Sequence, residues 1–246
     1  MANLTNKIAL VTGGSRGIGA GIAKRLAADG AAVAITYTSA PDAANAVVRE
    51  IEAAGGKAIA FKADAADATA VTSAVEQTVE AFGGLDVLVN NAGTAFPKPF
   101  EESTLEELDR VIDINIRGLF IATKVALKHL KEGGRIINIG SCVGERMMTP
   151  GLVPYAATKG AVKMFTQGLS REVADRKITV NNVQPGPIDT ELNPAAAEWA
   201  EPQIAATALK RFGKVEEVVA LVAFVASPEA SYITGANLTV DGGTNA

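Results

Sequence analysis

Near its start the chain reads Lys7-Ile8-Ala9-Leu10-Val11-Thr12-Gly13-Gly14-Ser15-Arg16-Gly17-Ile18-Gly19. The first six residues form a short apolar run that is typical of a buried strand. The glycines that follow permit a tight turn, and the pattern after them predicts a helix to about Asp29. A strand, a glycine-rich turn and a helix make the first half of a βαβ unit, which predicts a parallel sheet covered by helices.

The same alternation continues along the whole chain. Further strands are predicted at residues 31–37, 57–62, 85–90, 134–139, 178–183 and about 236–240. Helices are predicted at about residues 41–54, 67–82, 104–130, 155–175 and 215–226. Near-continuous apolar strands that alternate with helices predict a doubly wound parallel sheet, the Rossmann fold, of about seven strands with helices on both faces.

Length and composition suit a single packed α/β domain. A chain of 246 residues with 48% apolar and 20% charged residues can bury one continuous core and is unlike a disordered chain. We therefore expect one domain over residues 1–246. The proline-interrupted stretch at about residues 186–213 is predicted to be a substrate loop or lid within it.

The charge and the rare residues exclude several classes of partner. A formal charge of -4 gives no basic field for nucleic acid or for an anionic membrane. No apolar run has the length of a membrane span, and residues 1–7 lack a signal-peptide layout, so we expect a cytoplasmic protein. The chain has one cysteine, Cys142, and one histidine, His129, so we expect no metal site. Cys142 is interpreted as a small buried hydrophobe.

The glycine-rich turn lies where a doubly wound fold holds a dinucleotide. Its spacing is T-G-x-x-x-G-x-G, wider than the common dinucleotide fingerprint. Glycines let the backbone approach a pyrophosphate, and the following helix presents free N–H groups to it. The residues predicted to bind the cofactor here are Gly13, Ser15, Arg16, Gly17, Ile18 and Gly19. The alternative is a tight turn that binds no ligand.

The end of the second strand indicates which cofactor is bound. An acid there would accept hydrogen bonds from the adenosine ribose, whereas a 2′-phosphate requires cations and hydroxyl groups. The chain offers Tyr37, Thr38 and Ser39, and its next carboxylate is Asp42. Arg16 could supply the positive charge, although it could also be a solvated surface arginine. This pattern favours NADP(H) over NAD.

Asp64 and Ala65 follow the third strand. The carboxylate of Asp64 could either cap a backbone N–H group or hold the amine of the cofactor's adenine. Both readings stay open at this point, and both residues are candidates for cofactor contact.

Tyr155 and Lys159 lie four residues apart in a predicted helix, so their side chains share one face. An ammonium at about 5 Å, in an effective dielectric of about 20, favours the phenolate by about 3 kcal/mol. We therefore expect Lys159 to lower the pKa of Tyr155 and make the phenol a usable acid or base. A lone pair at this spacing is more often structural, and the other motifs of the chain give it weight.

With these residues together, the chain resembles the short-chain dehydrogenase/reductase family along nearly its whole length. The matching motifs are residues 12–19, Asn90-Asn91-Ala92-Gly93, Asn115, Ser141, Tyr155 with Lys159, and Pro185-Gly186. Residues 232–243 are also similar to the family's usual ending. The resemblance implies that Tyr155 protonates a carbonyl oxygen during reduction and that Lys159 assists it and binds the nicotinamide ribose. It implies that Ser141 holds the substrate oxygen and that Asn115 anchors a water linking Lys159 to solvent.

The resemblance also implies further contacts. Residues implied to contact the cofactor are Asn91, Gly93, Tyr155, Lys159, Pro185, Gly186, Ile188 and Thr190. It implies a homotetramer, in which the helices at 104–130 and 155–175 pair between subunits. Small residues at Ala156, Ala157, Gly160 and Ala161 would permit close approach, as they would in a helix buried within one subunit.

Within the family the chain is similar to 3-oxoacyl-[acyl-carrier-protein] reductases and to small-ketone carbonyl reductases. An acidic carrier protein requires a basic patch, and residues 128–135 carry an inserted acid, Glu132. Arg171 and Arg176 could still serve such a partner. The sequence therefore favours an NADPH-dependent reductase of free ketones, with the carrier-linked substrate as the alternative. A non-catalytic dinucleotide-binding regulator is a third reading, which the full set of catalytic residues disfavours.

Two segments are predicted to line the substrate pocket. They are residues 145–152, with Met147 and Met148, and residues 192–199, with Leu192 and Trp199. Their apolar side chains would suit a mostly apolar ligand. The alternative is that they only pack the lid.

Overall fold

The computed structural model describes residues 3–147 and 150–246. Its strands are β1 Ile8–Val11, β2 Ala32–Tyr37, β3 Lys57–Lys62, β4 Leu85–Asn90, β5 Leu130–Ile139, β6 Thr179–Pro185 and β7 Asn237–Val240. They form one sheet in the order β3-β2-β1-β4-β5-β6-β7, and each neighbouring pair is parallel. The predicted doubly wound fold is confirmed.

The helices cover both faces of this sheet. They are α1 Gly17–Ala28, α2 Pro41–Ala53, α3 Ala68–Phe82, α4 Leu105–Ile112, α5 Leu119–Ala126, α6 Val153–Glu172, α7 Ala200–Ala206 and α8 Val215–Ala226. None of the described helices is long and apolar enough to cross a membrane.

Alternation along the strands produces two apolar cores. On β1, Ala9 and Val11 join one core with residues of α1 and α8, whereas Leu10 joins the other core with residues of α3, α5 and α6. Because successive side chains of a strand point to opposite faces, a fully apolar strand must be covered on both sides. The sheet therefore lies buried between two helical layers.

The helix predicted at residues 104–130 is wrong in detail. α4 and α5 are separated by a π-helical turn, Asp113–Gly118, and α5 ends at Ala126. β5 begins at Leu130, where the prediction still had helix. At Gly118 a Cβ atom would lie 2.2 Å from the carbonyl oxygen of Ala65, so this turn is shaped by a close tertiary contact.

Backbone hydrogen bonds join the two ends of the segment at residues 186–213. The Gly213 amide donates to the carbonyl of Pro187 (2.9 Å), and the Asp189 amide donates to the carbonyl of Gly213 (2.9 Å). Within it lies α7, which the sequence analysis missed because it is short and contains Pro202. Proline is tolerated there because the first turn of a helix leaves its N–H groups free.

Candidate active site

The glycine-rich turn lies at the carboxyl edge of the sheet, between β1 and α1. Gly13 and Gly17 have φ angles of 64° and 53°, which favour glycine. A Cβ atom on Gly19 would lie 2.3 Å from the carbonyl oxygen of Gly13. The side-chain amide of Asn91 donates to the carbonyls of Thr12 and Gly13, both at 2.9 Å. Asn91, which directly follows β4, therefore fixes the shape of the glycine-rich turn.

The start of α1 is suited to an anion. Within the described residues, no side chain caps its first turn and that turn carries no acidic residue. Arg16 is exposed at the N-cap position, beside the free N–H groups, whereas Ile18 packs against the core. The helix dipole and unpartnered amides attract negative charge, so a pyrophosphate fits this turn. A Cβ atom on Gly17 would lie 3.7 Å from the methyl group of Thr190, so the 186–213 segment reaches over it.

Three residues with hydroxyl groups lie at the end of β2, as the sequence indicated. Tyr37 is partly buried against the core, and Thr38 and Ser39 are exposed. These three side chains lie at the same edge of the sheet as Arg16, because β2 is the neighbour of β1. The arrangement can present hydroxyl groups and a cation to a phosphate.

Asp64 is already engaged at the end of β3. Its carboxylate accepts hydrogen bonds from the Ala66 amide (3.0 Å) and from Arg110 Nη2 (2.8 Å). Burial acts to raise the pKa of Asp64, but these two donors outweigh it and the net pKa is lowered. Asp64 therefore caps a backbone amide, the first of the two predicted roles, and its role toward adenine stays a prediction.

A pocket lies next to Asp64, at the ends of β1, β3 and β4. Its lining includes Ala63, Ala65, Ala92 and Gly118. Apolar side chains of the core, among them Leu10, Val71 and Leu119, line the rest of the pocket.

Tyr155 and Lys159 lie on the first turns of α6, which begins at Val153. Pro154 occupies the first turn, where a missing N–H group is tolerated. The ammonium of Lys159 is 5.4 Å from the centroid of the Tyr155 ring and donates to the carbonyl of Ile139 (2.8 Å). The predicted pairing on one helix face is present, and the carbonyl at the end of β5 fixes the lysine.

The expected pKa of Tyr155 was wrong. Burial raises its pKa to about 12, although the neighbouring Ser141 hydroxyl acts to lower it. Burial also lowers the pKa of Lys159 to about 8, because a charged form loses its hydration inside the protein. In the protein alone, desolvation is therefore the main cause of both pKa shifts.

Asn115 lies in the π-helical turn and is buried. Its amide oxygen accepts from the Thr94 amide (2.8 Å), and its Nδ2 donates to the Thr94 carbonyl (2.9 Å) and to Thr158 Oγ1 (3.1 Å). A Cβ atom on Gly93 would lie 3.5 Å from Asn115 Oδ1 and 3.7 Å from Lys159 Nζ. Asn115 thus joins the segment after β4 to α6 beside the lysine. A π-helical turn at such a site is a common functional feature.

Ser141 follows β5 and begins a short 3-10 turn, Cys142–Gly144. This turn packs tightly on α6, since a Cβ atom on Gly144 would lie 2.8 Å from the carbonyl carbon of Lys159. Cys142 is buried, and burial raises its thiol pKa to about 11, with a further contribution from Asp241. The burial of Cys142 agrees with its interpretation as a small buried hydrophobe.

Pro185 ends β6 and leads into Gly186, Ile188 and Thr190. A Cβ atom on Gly186 would lie 2.6 Å from the Cα atom of Asp241, so only glycine fits there. Ile188 is buried and Thr190 lies near Gly17. These residues therefore reach the same edge of the sheet as the glycine-rich turn.

A second, smaller pocket is lined in part by Tyr155. Its lining includes Phe96, Ser103, Glu107, Leu108, Val111 and Pro154. Glu107 is held by Lys98 at 2.7 Å, and the Lys98 amide donates to the Gly151 carbonyl (3.0 Å). Leu192 and Trp199 are largely exposed, at 69% and 62%, and their role in lining the substrate pocket stays a prediction. Met147 is also exposed, and Met148 lies outside the described residues.

Comparison with known proteins agrees with this geometry. A family model described as enoyl-(acyl carrier protein) reductase matches residues 13–245. A solved short-chain dehydrogenase from Burkholderia cenocepacia J2315, in complex with NADP, is 52% identical with a TM-score of 0.98 and covers 99% of this chain and 100% of that one.

The chain belongs to the short-chain dehydrogenase/reductase family.

Other members of this family have comparable similarity. A short-chain dehydrogenase/reductase from Serratia marcescens is 51% identical, with a TM-score of 0.97 and 99% of each chain covered. A curated 3-oxoacyl-[acyl-carrier-protein] reductase from Synechocystis sp. is 44% identical over 246 residues, covering 99% of this chain and 98% of that protein. The resemblance read from the motifs is confirmed.

Sequence reasoning missed the part of this short-chain dehydrogenase/reductase site that surrounds Tyr155. Phe96, Glu107 and Leu108 carry no motif, and only tertiary packing brings them to the phenol. The capping box formed by Thr104 and Glu107 was a local signal for the start of α4. It gave no indication that the helix would face the site.

Proposed function

We propose that this protein is an NADPH-dependent reductase that transfers hydride to the carbon of a free ketone, with Tyr155 as the general acid. The observation that carries the proposal is the placement of Tyr155 and Ser141 around the buried Lys159, at the same sheet edge as a turn suited to pyrophosphate. In an open α/β sheet, ligands bind at this edge.

The residues present fit a nicotinamide dinucleotide. The glycine-rich turn would hold its pyrophosphate, and its adenine would lie beside Asp64 and Ala65, which follow β3. Arg16 with the hydroxyl groups of Thr38 and Ser39 would bind a 2′-phosphate, which NADP carries and NAD lacks. Solved relatives at 52% and 49% identity are complexes with NADP and NADPH. When bound, the reduced cofactor supplies the hydride.

Tyr155 supplies the proton. A phenol with a pKa of about 12 is fully protonated at neutral pH, which is the form that an acid must have. As negative charge grows on the substrate oxygen, Tyr155 Oη gives it the proton and becomes a phenolate. Lys159 stabilises this phenolate with its charge, and the Ser141 hydroxyl donates a hydrogen bond to the substrate oxygen.

Asn115 would complete the proton path. Its amide ties residue 94 to α6 next to Lys159, and Gly93 leaves open space between them. A water held in this space would return a proton from solvent to Lys159, and through it to Tyr155. Both Nδ2 hydrogens of Asn115 are used by Thr94 and Thr158, so such a water would donate to the remaining lone pair of Asn115 Oδ1.

The positions of Arg171 and Arg176, the two residues that could serve an acidic carrier protein, favour a free ketone over a carrier-bound substrate. Arg171 lies sixteen residues beyond Tyr155 on α6, which places it about 24 Å further along the helix axis. Arg176 donates to the Leu130 carbonyl (2.6 Å), and Arg135 is buried. These residues lie at the end of the sheet opposite Tyr155. The carrier-linked 3-oxoacyl thioester remains the second candidate, supported by the Synechocystis relative.

We also propose that the protein assembles as a homotetramer. Large apolar side chains are exposed at both ends of α4, on α5 and on α6: Leu105, Ile112, Phe120 and Met164. An exposed apolar set of this kind favours burial against another subunit. Sedimentation velocity at micromolar concentration tests the assembly, and a monomer would contradict it.

We further propose that residues 1–246 act as one domain in which the 186–213 segment serves as the lid. Its two ends are joined by backbone hydrogen bonds at Pro187 and Gly213, and Thr190 reaches the glycine-rich turn. A loop anchored in this way can move as a unit over a bound cofactor.

The decisive experiment follows NADPH oxidation with free ketones, a 3-oxoacyl thioester and an enoyl thioester. We expect turnover of ketones and its loss, by about 100-fold or more, in Tyr155→Phe with NADPH binding retained. A preference for the 3-oxoacyl thioester would favour the second candidate. Cofactor binding without turnover of any substrate would contradict the catalytic assignment and favour a regulator.

A further inference from the structure

The serine loop, residues 141–146, turns around one backbone carbonyl. The carbonyl oxygen of Cys142 accepts hydrogen bonds from the amides of Glu145 (3.0 Å) and Arg146 (3.2 Å). It also accepts one from Asn245 Nδ2 at 2.8 Å, which comes from 103 residues further along the chain. This side-chain bond is the shortest of the three, and it joins the loop to the C-terminal turn, whereas Glu145 joins the loop to β6 through Gln184 (3.2 Å) and to α6 through Lys163.

Asn245 is held in place by a preformed turn, residues 241–245. One carboxylate oxygen of Asp241 accepts from the Gly243 amide (2.9 Å), and the other accepts from the Asn245 amide (2.9 Å). The Thr244 hydroxyl donates to the Asp241 carbonyl (2.6 Å). Because both oxygens of Asp241 are used inside the turn, the Asn245 backbone has a fixed position relative to β7.

The 241–245 turn also contacts two segments that surround the proposed cofactor. The Gly186 amide donates to the Val240 carbonyl (2.9 Å), and a Cβ atom on Gly186 would lie 2.6 Å from Asp241 Cα. The Leu209 amide, within the 186–213 segment, donates to the Gly242 carbonyl (3.0 Å). One short turn thus touches the serine loop, the residues after β6 and the base of the lid.

We propose that Asn245 is a positioning residue that holds the serine loop, and through it Ser141, in the geometry needed to bind a substrate oxygen. The kinetic part of this inference rests on the proposed reductase function. Asn245 does not reach the reacting atoms itself, since its hydrogen bond ends at the Cys142 carbonyl. A hydroxyl displaced by a fraction of an ångström would stabilise the oxygen less well.

Cys142 makes the loop directly measurable. It is the only cysteine of the chain, it is buried, and it is the residue whose carbonyl Asn245 holds. Labelling of its thiol by a disulfide reagent therefore reports opening of the serine loop without background and without any need for turnover.

The experiment compares wild type, Asn245→Ala, Asn245→Asp and the control Asn3→Ala. Asn245→Asp keeps the size of the side chain and removes the donor, and Asn3 is an exposed residue whose amide oxygen accepts from the Thr5 amide (3.1 Å). Loss of one hydrogen bond should speed Cys142 labelling by about fivefold in both Asn245 variants. Circular dichroism melts establish that each variant is folded, and the control should label at the wild-type rate.

The kinetic arm measures kcat for ketone reduction in a double-mutant cycle with Ser141→Ala. Asn245→Ala should lower kcat by about three- to tenfold with an unchanged Kd for NADPH, and should have no further effect when Ser141 is absent. Unchanged labelling, or an equal loss of kcat in the Ser141→Ala background, would overturn the inference. A protein that reduces no ketone would overturn the proposed function, and the labelling rates would still decide the role of Asn245.

Discussion

Replacing Lys159 by methionine should make the protein's stability respond differently to pH. Lys159 is buried at 5% exposure, and burial lowers its pKa from 10.5 to about 8. Between these two pH values the unfolded chain binds a proton that the folded chain does not, so stability rises with pH in this window. Below about pH 8 the folded protein carries the full cost of the buried charge.

The magnitude follows from the pKa difference. At about 1.36 kcal/mol per pKa unit, the charge of Lys159 costs the folded state about 3 kcal/mol at pH 7. Lys159→Met removes this cost at every pH, but it leaves the Ile139 carbonyl without its side-chain donor, at about 1–3 kcal/mol. We therefore expect the variant to equal or exceed the wild type by up to about 2 kcal/mol at pH 7, and to be about 1–3 kcal/mol less stable near pH 10.5.

Urea unfolding of the cofactor-free protein, followed by far-UV circular dichroism at pH 7 and pH 10, measures this change. Lys128→Met, at an exposed position, is the control for the loss of one lysine charge. A stability difference between Lys159→Met and wild type that is the same at both pH values, within about 0.5 kcal/mol, would refute the reasoning. At pH 7 the variant should also lose ketone reduction while remaining folded, which separates the proposed catalytic role of the lysine from its cost to stability.

Three further outcomes are expected. The kcat for ketone reduction with saturating NADPH should fall above about pH 8, where Lys159 loses the charge that stabilises the phenolate, and a profile that is flat to pH 10 would contradict this. Gly118→Ala would place a Cβ atom 2.2 Å from the Ala65 carbonyl oxygen. Urea unfolding should show a loss of about 2–4 kcal/mol, and a fluorescence titration should show weaker NADPH binding. Arg16→Ala should raise the Kd for NADPH by about tenfold and leave the Kd for NADH nearly unchanged; equal effects on both cofactors would count against a 2′-phosphate contact.

Local patterns predicted the strands well. β3 and β4 have the predicted bounds, because a short apolar run between turn residues carries its own signal. The glycine-rich turn and the Tyr155–Lys159 pair were also readable, since each lies within one local element whose geometry is known in advance. Parallel order then follows from the alternation of strands and helices.

Features that depend on contacts between residues far apart in the chain could not be predicted from local patterns. The π-helical turn depends on the approach of Gly118 to Ala65, and the pocket beside Tyr155 depends on α4 packing against α6. Asn245 lies 103 residues from the carbonyl that it holds. None of these pairings produces a periodic pattern along the chain.

The sequence by itself determined the order of elements, the place of the glycine-rich turn and the identity of the proposed catalytic side chains, because each of these depends on residues close together in the chain. Only the tertiary structure decided how Tyr155 and Lys159 ionise. A pair read from the sequence suggests attraction between an ammonium and a phenolate, which would lower the pKa of Tyr155. In the folded protein that pKa is about 12 and that of Lys159 about 8. The reason is that desolvation depends on every group packed around a charge, and those groups come from β5, the serine loop and α6 together.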